Sequence, residues 1–195
     1  MSEQLQARLE TLRQRLRTSY DGIGHSSGRP YVYFVYPPEQ ERAMRRLIDE
    51  TLRDEPTLAY HHLDLLPLAI GSLKGQEARR AELLNDPAQG SGAATSIMRL
   101  WSRAAVRAIQ TSMETAAPHG RPVAILRGLA ALHPLGTPTR LMEAMAEQEV
   151  RDPRTDRIVP VVLLVPGIRP PQTSRRYWFL GQQRLDCDFY RGEEA

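Results

Sequence analysis

The chain has 195 residues, 41% hydrophobic and 25% charged, with a formal net charge of +3; such values exclude a disordered or fibrous chain. No apolar run approaches the roughly 18 residues of a membrane-spanning helix, and the charged N-terminal stretch has no apolar signal-peptide core. Cys187 is the single cysteine, which excludes a disulfide framework and a cysteine-built zinc site and sets a reducing, cytoplasmic location as the expectation.

Leu5, Leu9, Leu12, Leu16 and Tyr20 recur at helical spacing, so residues 1–20 are expected to form an amphipathic helix. Asp21–Pro30 (DGIGHSSGRP) reads as a polar loop. Its glycines precede a strand instead of following one, the wrong context for a dinucleotide fingerprint. Tyr31–Tyr36 (YVYFVY) is a strand with both faces covered. Pro38 suits the first turn of the next helix, with Glu39 and Glu41 near its positive end. Met44, Leu47, Ile48 and Leu52 form the buried face of that helix. A second strand spans Thr57–Leu63 and ends at Asp64.

Leu65–Leu84 is helical in pattern but interrupted by Pro67, Gly71 and Gly75, so two pieces are expected. Asn85–Thr95 reads as a loop, and Ser96–Ala116 as a long helix with Ile97, Trp101, Ala104, Ala105 and Ala108 on one face. Pro122–Leu126 is the third strand, with Arg127-Gly128 at its exit. Thr137 caps a helix opened by Pro138. Val159–Val165 is the fourth strand, stopped by Pro166-Gly167, and Tyr177–Leu180 and Cys187–Tyr190 are final strands at a sheet edge. Strands alternating with helices predict an α/β fold: a mostly parallel open sheet with helices on both faces, an N-terminal amphipathic helix and C-terminal edge strands. One domain is expected over residues 1–195, with its core over 31–190.

Ligands of open α/β sheets gather beyond the carboxyl ends of the strands. The candidates there are Tyr36, Pro37, Pro38, Glu39, Asp64, Arg127, Gly128, His133, Pro166, Gly167 and Arg169, as a pocket or partner-docking rim. There is no P-loop, since Lys74 lacks the flanking glycine pattern. Prolines 37 and 38 offer no N–H groups to cradle phosphate, so the first strand-to-helix turn is a rigid corner and not a nucleotide loop. His61 and His62 are adjacent in a strand and point to opposite faces, so they cannot share a metal. Cys187 lies between Asp186 and Asp188, which opposes thiolate formation. No catalytic constellation, metal site or cofactor site emerges.

Four segments, in this order, resemble the BrxB family of the BREX bacteriophage-defence systems. They are VYFVYPPEQE (Val32–Glu41), HHLDLLPLAI (His61–Ile70), VAILRGLAALHPLGTPTRLMEAM (Val123–Met145) and VPVVLLVPG (Val159–Gly167). The resemblance implies a non-catalytic adaptor that associates with PglZ, an alkaline-phosphatase-like protein, within a gene cluster that also holds a DNA methyltransferase and a large ATPase. Two other readings stand beside it. One is a nucleic-acid-binding module using Arg13, Arg17, Arg42, Arg45, Arg46, Arg175 and Arg176 against phosphate. The other is a hydrolase or nuclease using Asp64 and Glu39 around a divalent metal.

Overall fold

The structure, a computed structural model, describes residues 2–23, 30–116, 119–171 and 175–195. Residues 24–29, most of the expected polar loop and with it His25, lie outside the described residues. Parallel strands β1 (Tyr31–Tyr36), β2 (Leu58–Asp64), β3 (Arg121–Arg127) and β4 (Val161–Ile168) lie in the order β2-β3-β4-β1. Strands β5 (Arg176–Phe179) and β6 (Asp186–Asp188) extend antiparallel from the end of β4, and β7 (Gly192–Glu194) runs parallel along the free edge of β1.

The helices are α1 (Ser2–Thr18), α2 (Glu41–Thr51), α3 (Leu65–Leu73), α4 (Glu77–Asn85), α5 (Gly90–Thr115) and α6 (Pro138–Met145). They cover both faces of the sheet, as the sequence predicts. Side chains alternate along a strand: Val32, Phe34 and Tyr36 pack with α1 and α2, whereas Tyr31, Tyr33 and Val35 join the core formed with α3, α5 and α6. Every residue of β1 is therefore buried.

Helix α1 docks through Leu5, Leu9, Leu12 and Leu16, none more than 5% exposed. Each buried leucine contributes about 2 kcal/mol, so this stripe holds the helix in place. Beside it, the Arg8 guanidinium lies 4.6 Å above the Phe34 ring and donates to the Val35 carbonyl at 3.0 Å. The predicted break in the second helical region falls between α3 and α4, where Gly75 adopts φ +79°. Thr137 caps α6 with Pro138 at its first position.

Three expectations need correction. First, the loop predicted over Asn85–Thr95 is shorter, because α5 begins at Gly90. Gly90 and Gly92 are poor helix formers, but Ala93 is buried, and a Cβ at Gly90 would stand 2.9 Å from the Leu84 carbonyl oxygen. Close packing, not propensity, sets this helix start. Second, β4 does not stop at Pro166-Gly167 but continues to Ile168. The Pro166 carbonyl accepts the Leu180 N–H at 2.9 Å. A Cβ at Gly167 would stand 2.9 Å from the Trp178 carbonyl oxygen, so only glycine lets β5 approach. Third, β5 and β6 are the expected C-terminal edge strands, but the set is incomplete: a further strand, β7, lies at the β1 edge.

Candidate functional site

The carboxyl ends of β1, β2 and β3 carry a continuous ion network. Glu41, Arg45 and Asp49 recur every four residues and share one face of α2. Arg45 donates from Nε to Glu41 at 2.6 Å and from Nη1 to Asp64 at 2.5 Å. The buried Tyr36 hydroxyl donates to the other Glu41 oxygen. Arg127 donates to Asp49 at 2.8 Å, with its Nε 3.9 Å from Asp64. Asp64 Oδ1 also accepts the Leu66 N–H at 3.1 Å and so caps α3. Gly128 closes the cluster in the left-handed region at φ +73°. A Cβ there would overlap Asp64 Oδ1 and stand 3.1 Å from its Cγ.

Burial opposes the charge on Asp64, but hydrogen bonds from Arg45 and the Leu66 amide, with the fields of Arg45 and Arg127, outweigh it. The carboxyl is held below its ordinary value. Burial, and then the bond to the Glu41 carboxylate, push the Tyr36 phenol well up, so it stays protonated. A carboxylate held ionised with both oxygens engaged acts as a cap and a clamp, and is poorly set up to take a proton. The network ties α2 to the ends of β1, β2 and β3.

Of the predicted rim, Tyr36, Gly128, Pro166 and Gly167 are buried. Pro37, Pro38, Asp64, Arg127 and His133 are half-buried, and Glu39 and Arg169 are exposed. The proline corner takes a different form from the expected helix start. Pro37 (φ −58°, ψ 131°) precedes a single 3₁₀ turn, Pro38–Gln40, and α2 starts only at Glu41. Exposed Ile168 lies near this corner, across Gly181 from Pro38. Glu39 is absent from the Asp64 network, and Arg169 bonds instead to Glu194 of β7 at 2.7 Å. Among the described residues no group of three or more His, Cys, Asp and Glu is placed to hold a metal ion. His61 bonds to Ser112 of α5 at 2.9 Å and His62 to the Leu52 carbonyl beyond α2 at 2.8 Å, on opposite sheet faces.

Most arginines nominated for nucleic acid are neutralised within the molecule. Arg13 Nε donates to Glu55 at 2.9 Å, and Arg17 reaches the other oxygen of the same carboxylate. Burial opposes the Glu55 charge, but both arginines outweigh it and lower its pKa. Arg45 belongs to the strand-end network, and Arg176 pairs with Asp186. Arg42, Arg46 and Arg175 remain exposed without an ion pair among the described residues. Sequence reasoning missed Asp49 and Glu55 as anchors. The four-residue spacing of Glu41, Arg45 and Asp49 would have revealed the first, but nothing local points to the second. Cys187 is buried in an aromatic cluster near Tyr177, and burial is the main cause of its raised pKa, ahead of Asp186. Comparison with protein-family models, curated proteins and solved structures finds no match to the chain.

Proposed function

We propose that this chain is a non-catalytic adaptor of a BREX-type antiphage system and associates with a PglZ-like partner of the alkaline-phosphatase fold. The observation that carries the reading is the engagement of the strand-end polar groups. Tyr36, Glu41, Arg45, Asp64 and Arg127 bond to one another and to the α3 N-terminus. That arrangement gives a stiff strand-end surface, suited to being presented to another protein. The identity of the partner rests on the ordered segments that resemble the BrxB family. Affinity capture of the tagged chain from its host, in nuclease-treated lysate at moderate salt, tests it. Recovery of a PglZ-like protein in stable proportion supports the adaptor role, and recovery of no protein partner rejects it.

A further inference from the structure

A further set of arginines without ion pairs among the described residues lies on the face of α4 and α5. Arg99, Arg103 and Arg107 of α5 are all exposed, and none forms an ion pair among the described residues. Their four-residue spacing puts them on one face of the helix, at steps of about 6 Å along its axis. Arg80 of α4 stands beside them. Its guanidinium donates to the Ser96 hydroxyl and the Gln76 amide oxygen, each at 3.2 Å, so its charge meets only neutral groups. Arg80, Ser96, Arg99, Leu100 and Arg103 line a shallow open groove of about 680 Å³ between α4 and α5. Exposed Ser91 and Thr95 line the same groove. Glu143 of α6 and Glu147 just beyond its end share an adjoining groove with Arg99 but form no ion pair with it.

We propose that this α4–α5 face binds the sugar-phosphate backbone of a nucleic acid without reading its sequence. Three features select phosphate over an acidic protein surface. The arginines repeat in a regular line, which suits a chain of evenly spaced charges. The hydroxyl groups of Ser91, Thr95 and Ser96 line the groove beside the arginines, as hydroxyls do in phosphate contacts. The groove holds no aromatic anchor, and Leu100 is its only large apolar residue, whereas a protein partner relies on such buried anchors. Planar guanidinium groups also match phosphate geometry better than lysines do. The face lies across the sheet from α2, and the inference does not depend on the adaptor reading.

The test is fluorescence anisotropy with a short mixed-sequence DNA duplex, titrated at several salt concentrations, with an acidic peptide as the competing polyanion. The probes are the parent chain, the triple variant Arg99→Gln, Arg103→Gln, Arg107→Gln, and the double variant Arg42→Gln, Arg46→Gln from the opposite face. These are exposed positions, and circular dichroism checks each fold. The single variant Arg103→Gln serves if the triple variant fails to fold. The parent should bind the duplex with affinity falling steeply in salt. The triple variant should weaken binding and flatten the log–log salt slope by about 3, one per lost phosphate contact. The single variant should flatten it by about 1. The α2 double variant should leave both unchanged. Unaltered binding by the α5 variants, an equal loss in the α2 variant, or equally tight capture of the acidic peptide would each overturn the proposal.

Discussion

Gly128→Ala probes the strand-end network at the point where its packing is tightest. The added methyl sits at φ +73° and overlaps Asp64 Oδ1. An alanine in the left-handed region costs about 1–2 kcal/mol, of which its stiffer unfolded chain returns about 0.4–1. If Asp64 is pushed aside, α3 loses its cap, at about 1 kcal/mol. The bond to Arg45 is lost as well. Arg45 and Asp64 are 35% and 22% exposed, and solvent screening limits that loss to about 1 kcal/mol. The total is about 3 kcal/mol, or a fall in Tm of roughly 6–12 °C for a chain of this size. Asp64→Ala alone should cost about 2 kcal/mol, from the cap and the pair. The double variant removes the carboxylate that the methyl meets, so it should cost about 3 kcal/mol instead of the additive 5. Urea denaturation of the parent, both single variants and the double variant measures the coupling. Additive losses, or a Gly128→Ala variant as stable as the parent, would refute the argument that Gly128 and Asp64 are packed as a unit.

Other perturbations have defined outcomes. Glu55→Ala removes the shared partner of Arg13 and Arg17 and an acceptor of the Tyr60 hydroxyl. With both arginines partly exposed, the loss should be about 1–2 kcal/mol by chemical denaturation. Glu55 and Asp64 have folded pKa values below their unfolded ones. Their contribution is therefore present above the ordinary carboxylate range and should fade as pH drops below about 4. Glu194 goes the other way: burial raises its pKa despite Arg169 and Arg8, so its folded state favours the proton and loses stability as pH rises through that value. Glu194→Gln should leave Tm at neutral pH unchanged or higher, and a clear fall would contradict this. Replacing Pro37 and Pro38 by glycine should lower stability by about 0.5–1 kcal/mol per site, and an unchanged Tm would show the corner contributes nothing.

What the sequence made legible follows from how local each signal is. The β-branched and aromatic run Tyr31–Tyr36, the leucine stripe of α1 and the Thr137-Pro138 helix start each announce themselves within a few residues. Strand β7 has no such signal, since Gly192, Glu193 and Glu194 have little preference for a strand. It forms because β1 offers a free edge: the Ala195 N–H bonds to the Tyr33 carbonyl at 3.0 Å, and Arg15 pairs with Glu193. The same logic separates the arginines. Arg13 and Arg17 are as charged in the sequence as Arg99 and Arg103, but Glu55 reaches α1 only after the chain has crossed the sheet. Long-range pairing decides which charges are left for a partner, and periodicity cannot show it.

The proposed adaptor role meets its most direct test in a two-protein reconstitution. The chain is co-expressed with the PglZ-like protein of its own host, treated with nuclease and resolved by size-exclusion chromatography with light scattering. A single species containing both proteins in fixed proportion at moderate salt is the predicted result. Separate elution of the two proteins at micromolar concentration would contradict the account.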